Sequence, residues 1–321
     1  MKVSLAVRSG GHQYSGFSSA SGDDMQLDMG NFDSCVYNEA DRTFSVGPGC
    51  VINKLHDAMA AEKCFVPHGQ CGSVGVGGHL HTGGYSPWCG RSFGYFIDHV
   101  TKFTIVLAPT EAGGNASVVD VVKPVAGGNG TSEFNDGLWN SVLGGAPGNI
   151  GVLVEATIAP LWDKDHADSR TYQTVLLYSK WKFEQLLNYA VAVAADDDLA
   201  ADYNLMVALA GALDGPPMLL VQASWANING KGDPFEENVK AKKFFSDVQA
   251  LVQSLQYTAE RLAIAGIFEA TAWWTGHRQL HLIDPSKPIT QSVLGNMLTF
   301  NMTAPDDATK GHGPATCFVS Q

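Results

Sequence analysis

Two glycine-flanked segments carry the chemistry of this chain: Arg8-Ser9-Gly10-Gly11-His12, and Cys71-Gly72-Ser73-Val74-Gly75-Val76-Gly77-Gly78-His79. Each sets a nucleophilic side chain, the His12 imidazole or the Cys71 thiol, beside backbone with almost no side-chain bulk. A tight turn that brings N–H groups against a large anionic ligand needs that combination. Histidine, cysteine and glycine also serve metal sites and dinucleotide fingerprints, so spacing has to separate the three.

As metal ligands, His79 and His81 would join Cys71, His68 and Cys89, a donor set suited to zinc or copper. Two histidines one residue apart share a face on a strand, but the surrounding glycines predict loop instead of a rigid platform. No carboxylate stands close in sequence to orient them. The dinucleotide fingerprint requires strand, G-x-G-x-x-G, helix and a later acidic residue. The stretch Gly72 to Gly77 has other offsets and no helix of useful length is expected after it. Taken singly, His12 reads as a turn histidine and Cys71 as a buried or disulfide-bonded thiol.

The elements that position these segments are short. The run Val3 to Val7 predicts a strand ending at the first segment, and Cys64 to Pro67 a strand before the second, whose glycines continue through Gly83 and Gly84. Further strands are expected at Met25–Met29, Thr43–Val46, Phe103–Leu107, Ser117–Val122 and Ile150–Ile158. Apolar spacing predicts a helix from Val51 to Glu62. After Pro160 glycine thins out. Helices are expected over Lys180–Ala194 and Asn238–Leu255, the latter with Phe245, Val248, Val252 and Leu255 on one stripe. Between them Tyr203–Leu209 and Met218–Ser224 predict a strand pair. This change of texture places a domain boundary near residue 162, with residues 1–162 and 163–321 on either side.

Composition narrows the class. With 321 residues, 45% of them hydrophobic and 16% charged, the chain can bury cores in two domains. The net charge of -12 opposes nucleic acid as a partner, and no apolar window is long enough to span a bilayer. The start at Met1-Lys2 has no apolar region with a cleavage site. Six cysteines form no CxxC pair, against zinc-ribbon and thioredoxin readings. Asn115, Asn129 and Asn301 open glycosylation triplets.

The order Arg8-Ser9-Gly10-Gly11-His12-Gln13-Tyr14, Gly69-Gln70-Cys71 through His79, and Arg91-Ser92-Phe93-Gly94 resembles the berberine-bridge-enzyme-like family of FAD-linked oxidases. Gly144 to Val152, including Asn149, is similar to that family's later glycine-rich FAD segment, with Ile150 where the family has phenylalanine. The similarity covers roughly residues 3 to 160. It implies an α+β protein: a PCMH-type (vanillyl-alcohol-oxidase-type) FAD-binding domain, then a substrate domain with an antiparallel sheet backed by helices.

The resemblance implies FAD tethered through His12 at the eight-alpha methyl carbon and through Cys71 at position six of the ring. It places His79 near the ribityl chain and the pyrimidine edge, where a donor would stabilise negative charge on reduced flavin. Gly10, Gly11, Gly77 and Gly78 would let N–H groups approach the pyrophosphate. Arg8, Ser9, Tyr14, Gly75, Gly83, Gly84, Asn149 and Val152 complete the implied cofactor-binding set. Val74 falls at the family's oxygen-gatekeeper position, where valine accompanies oxidases and leucine dehydrogenases. The implied reaction is oxidation of an alcohol or saccharide hydroxyl, with dioxygen as acceptor and hydrogen peroxide as product. A substrate base of the type of Glu269, Tyr203 or Tyr14 is implied without being placed, and Trp273 and Trp274 read as stacking surfaces or, the commoner use of an aromatic pair, as core.

The family pattern also has a βαβ portion ahead of the first segment and a later Asn-Tyr-containing segment, and proline is common where Gly72 stands. These departures predict a fragment truncated at both ends, and a cofactor-binding relative without turnover is the competing reading. A metal-dependent enzyme using His79, His81 and Cys71 is the remaining one. The resemblance implies secretion, as in many relatives.

Overall fold

The computed structural model describes residues 4–13, 15–125, 130–196, 199–210, 217–228, 230 and 234–256. Tyr14, Asn129, Glu269, Trp273, Trp274, Asn301 and Cys317 lie outside the described residues. The chain divides into two compact units, Met1–Ser86 with Gly94–Trp162, and Pro87–Phe93 with Asp163–Gln321.

In chain order the first unit begins with strands β1 (Leu5–Arg8), β2 (Met25–Asp28), β3 (Cys35–Asn38) and β4 (Thr43–Val46), then helix α1 (Ile52–Ala61), β5 (Cys64–Phe65) and helix α2 (Val76–His81). The short helix α3 (Gly90–Phe93) belongs to the second unit. The first unit resumes with β6 (Val100–Leu107), β7 (Ser117–Val122), helix α4 (Glu133–Asn140), β8 (Gly151–Ile158) and β9 (Leu161–Trp162). The second unit continues with β10 (Arg170–Leu177), helix α5 (Lys180–Ala194), β11 (Tyr203–Ala210), β12 (Met218–Trp225) and helix α6 (Val239–Leu255).

The first unit is organised by an antiparallel five-stranded sheet in the order β3-β4-β8-β6-β7. β1 and β2 form a separate parallel pair, Leu5 opposite Met25 through Arg8 opposite Asp28. The core gathers Phe44, Val46, Phe103, Ile105 and Ile158 from the sheet with Leu55, Met59 and Leu80 from the helices. Helix α1 turns Ile52, Leu55, His56 and Met59 inward, the i, i+3, i+4, i+7 pattern of a one-sided helix. It has no side-chain cap; Ile52 N donates to Val74 O at 3.0 Å and Asn53 N to Gly72 O at 2.9 Å. The orphan donors every helix start leaves are thus spent on the Cys71 loop, which they fix in place.

In the second unit β10-β12-β11 forms an antiparallel sheet with α5 and α6 supplying its apolar partners. The expected helix spans hold: α5 starts after Ser179, whose side chain accepts from Lys182 N, and α6 after Asn238, whose side chain accepts from Ala241 N. The α6 stripe Phe245, Val248, Val252 and Leu255 is buried. The α+β class with an antiparallel, helix-backed sheet after the first unit agrees with the sequence reading.

Several elements were not expected from the sequence, among them β3, β10 and α4: β3 is too short, α4 too polar and β10 too mixed to announce itself by apolar pattern alone. Residues 87–93 also leave the first unit: Arg91 Nη2 donates to Leu199 O and Ser92 Oγ to Ala201 O, both at 2.8 Å. In this structure Arg91 and Ser92 therefore serve the packing of the second unit.

Candidate functional site

β1 ends at Arg8 and releases the chain into the first glycine segment. Ser9 Oγ donates to Pro48 O, and Gly77 N donates to the same carbonyl at 3.0 Å. One backbone oxygen therefore holds both segments. Gly10 and Gly75 lie backbone to backbone: a Cβ on Gly10 would overlap Gly75 N, and one on Gly75 would overlap Ser9 Oγ and Gly10 N. Glycine is required at both by close approach. At Gly11 the requirement is conformational, with φ at +70°.

His12 is exposed, with Nδ1 2.9 Å from Gly10 O and Nε2 3.1 Å from Ser73 Oγ. Since a carbonyl only accepts, Nδ1 carries the proton and Nε2 accepts from the serine hydroxyl. This contact brings the imidazole onto the loop that bears Cys71, two residues before Ser73. Cys71 is half-buried and free, and burial pushes its thiol above the ordinary range. Next to it, a Cβ on Gly72 would fall on the Asn53 side chain, which explains a bare residue there.

The loop is held from below as well. Val76 N donates to Cys50 O at 2.7 Å, and Val51 bridges Gly75. Val74 is partly buried against the core, its carbonyl taken by α1. The N–H of Gly77 is spent on Pro48, so this glycine serves packing in the structure, a Cβ there lying 2.8 Å from Pro48 Cβ. Gly78, by contrast, is exposed and has open space where a Cβ would point.

His79 and His81 stand on α2, a helix of six residues, which corrects the expectation of a glycine loop. Two residues along a helix turn side chains to different sides. His79 Nε2 accepts from Gly69 N at 3.2 Å, and its ring lies edge-on to Phe96 at 5.3 Å. His81 Nδ1 donates to Val142 O at 3.0 Å. Among the described residues, no three of His, Cys, Asp and Glu are grouped to hold a metal ion. Burial draws His79 down to about 4, so its imidazole is neutral near pH 7 with the proton on Nδ1.

Gly83 and Gly84 both take positive φ, +92° and +72°, and their carbonyls accept from Ile97 N and Phe96 N. A Cβ on Gly84 would overlap Phe96. In the later glycine segment, Gly144 has φ +107° and Gly148 +75°, and Asn149 N donates to Ala146 O at 3.1 Å. Val152 lies in β8 opposite Val106. Arg8 makes a loose, exposed pair with Asp28 at 3.9 Å. Tyr203, offered as a base by type, is 3% exposed and packed edge-on to Phe244 in the second unit's core, with burial raising it to about 12. That environment suits a core tyrosine.

Several positions that matter here were not singled out for what they do. Pro48, Ser73, Asn53, Gly69 and Phe96 act through contacts 10 to 61 residues away in sequence, or through shared backbone atoms. His68, weighed above as a metal ligand, has another part. It is 1% exposed, donates Nδ1–H to Gly69 O at 2.8 Å, and leaves Nε2 without a hydrogen-bond partner among the described residues. Burial lowers it from 6.5 to about 3.

The unfolded chain therefore takes up a proton at His68 near pH 6.5 that the folded protein refuses until about pH 3. The associated stability is full above 6.5 and is lost as pH falls below it. At about 1.4 kcal/mol per unit, the loss reaches about 2 kcal/mol by pH 5, above the range where most carboxylates titrate. Thermal melts between pH 7 and pH 4 should show this decline. It should be shallower in His68→Leu; an identical slope would contradict the assignment.

Residues 1–111 match the model of the FAD binding domain family. The chain is 32% identical over 150 residues to aclacinomycin-N/aclacinomycin-A oxidase of Streptomyces galilaeus, covering 46% of this chain and 26% of that protein. It is 35% identical over 159 residues to berberine bridge enzyme-like 12 of Arabidopsis thaliana, covering 48% and 27%. Its fold is similar to that of the glycopeptide hexose oxidase DBV29 complexed with teicoplanin. The TM-score is 0.59 and the identity 21%, over 79% of this chain and 51% of that one. The matched stretches span about a quarter of the length of these curated relatives. Residues 1–111 are thus similar to the FAD binding domain family, and the first part of the chain to the berberine bridge enzyme-like FAD-linked oxidoreductases.

Proposed function

We propose that this chain is part of an FAD-dependent oxidase that acts on an alcohol or saccharide hydroxyl, with dioxygen as acceptor and hydrogen peroxide as product. The observation that carries the reading is the 3.1 Å contact from His12 Nε2 to Ser73 Oγ, which joins the two nucleophile-bearing loops inside the matched domain. The residues suit the cofactor. Gly10 and Gly75 meet at a separation no side chain allows, an exposed imidazole and a half-buried thiol stand on adjoining loops, and Gly78 leaves open space. His12 and Cys71 would hold FAD covalently, the first at the eight-alpha methyl carbon and the second at position six.

When bound, FAD supplies a two-electron acceptor whose potential rises with such tethering. The chain's own groups set the surroundings. His79 stays neutral, its Nε2 occupied by Gly69 N–H, so Nδ1–H is the donor it has left to offer. Half-burial keeps Cys71 protonated near pH 7, so coupling to the ring requires its proton to leave. Val74, its backbone fixed between Cys71 O and Ile52 N, puts valine at the gatekeeper position, the residue the resemblance associates with oxidases. The oxidase name of the Streptomyces relative supports the same acceptor.

A panel of saccharides and primary alcohols tests this with the purified protein. A substrate should bleach the flavin absorbance without air and yield peroxide stoichiometrically when air is admitted. Bleaching that persists in air would favour a dehydrogenase, and colour unmoved by the whole panel would favour cofactor binding without turnover.

A further inference from the structure

A second pair of sulfurs meets beneath the glycine loops. Cys35 opens β3 opposite Val46 in β4. Gly47 N then donates to Ser34 O at 2.9 Å and Cys50 N to Gly47 O at 3.1 Å, so the turn from Gly47 to Cys50 folds back over the start of β3. The strand register and the folded-back turn bring the two thiols within reach of each other's electrostatic influence, Cys50 Sγ also donates weakly to Val51 O at 3.5 Å, and both thiols are free. Cys50 is fully buried at 0% exposure, whereas Cys35 is half-buried and packed against the same core. Lys54, paired with Asp33 at 2.7 Å, sets an ammonium group beside them.

We propose that Cys35 and Cys50 form a redox pair which a hydroperoxide converts to a disulfide, stapling the Gly47–Cys50 turn to β3. That turn presents Pro48 O to Ser9 and Gly77 and Cys50 O to Val76. The staple therefore stiffens the frame on which both glycine segments hang. It does not depend on which substrate the protein oxidises, or on FAD being bound.

The roles divide by burial. Cys35, the more accessible sulfur, attacks the peroxide: an S–O bond forms, the O–O bond breaks, and the released oxygen leaves as water, or as an alcohol from an organic peroxide. Cys50 then attacks the sulfur of the resulting sulfenic acid. The S–S bond forms, the S–O bond breaks, and hydroxide departs with the Cys50 proton as water. Two thiols lose two electrons and two protons, and the peroxide gains them. The neighbouring Cys50 thiol, assisted by Lys54 and opposed by burial, lowers the Cys35 thiol below its ordinary value, while Cys50 is raised. Attack by Cys35 first follows from both.

Tryptic mapping reads the result directly, because Arg42 and Lys54 place the two cysteines on separate peptides, 9–42 and 43–54. The full chain is reduced, desalted, exposed to hydrogen peroxide, alkylated and digested without reductant. The expected product is a linked 9–42/43–54 species two hydrogens lighter than the free pair, with a higher melting temperature than the reduced protein. Both should vanish in Cys35→Ser. In Cys50→Ala, dimedone should label Cys35; if that variant fails to fold, the wild-type map and Cys35→Ser still decide. Finding both cysteines alkylated at peroxide doses that convert the exposed Met25 to its sulfoxide would overturn the proposal. So would an equal yield of the link in urea.

Discussion

Replacing His12 and Cys71 together by alanine is expected to turn a flavin that survives acid precipitation into one that washes out of the pellet. Each single variant should keep colour in the pellet through the remaining link, so the effect is strongly non-additive. The structural reason is the convergence of the two loops: His12 Nε2 touches Ser73, and Ser73 sits two residues from Cys71. Two anchors on one frame back each other up. Absorbance of the acid supernatant, before and after protease digestion, measures the outcome. Colour retained in the double-variant pellet would exclude these two residues as the tethers, whatever the substrate is.

The second large effect separates two glycines three residues apart. Gly75→Ala puts a methyl group into Ser9 Oγ and Gly10 N, with backbone on one side that cannot swing away. Overpacking of this kind costs about 1–3 kcal/mol, and for a unit of this size lowers the melting temperature by roughly 2–10 °C. Gly78→Ala meets nothing within 4 Å. It should leave the melting temperature of the flavin-free protein unchanged or slightly raised, since alanine suits a helix better than glycine. If Gly78 faces the cofactor, the same variant should incorporate less flavin. Scanning calorimetry of flavin-free protein and the ratio of flavin to protein absorbance therefore read two different properties. Equal destabilisation by both variants would contradict the contact between Gly10 and Gly75.

Much of this fold was legible locally. The limits of α5 coincide with the expected Lys180–Ala194, because an apolar period of 3.6 and a serine cap lie within the segment itself. The strand pair β11 and β12 and the run of β8 follow from β-branched and apolar residues bounded by turns. His79 and His81 went the other way. Glycines that lower helix propensity still form α2, because Val76 and Leu80 gain burial in the core and Val76 N and Gly77 N find carbonyls in another segment. Tertiary contacts outweigh a propensity deficit of about 1 kcal/mol per glycine.

The order of residue types along the chain was enough to determine which side chains could act as nucleophiles, that glycine surrounds them, and where the glycine-rich first part gives way to longer helices and strands. It could not say that Pro48 accepts from both segments, that Ser73 meets His12, or that Cys35 lies against Cys50. Those pairings join residues 15 to 61 positions apart, and nothing in local spacing ranks one distant partner over another. The neutral state of His79 has the same origin: it depends on water being excluded by Phe96 and Gly69, which become neighbours when the core closes. Residue type sets what a group can do, and the surroundings set its charge and its partner.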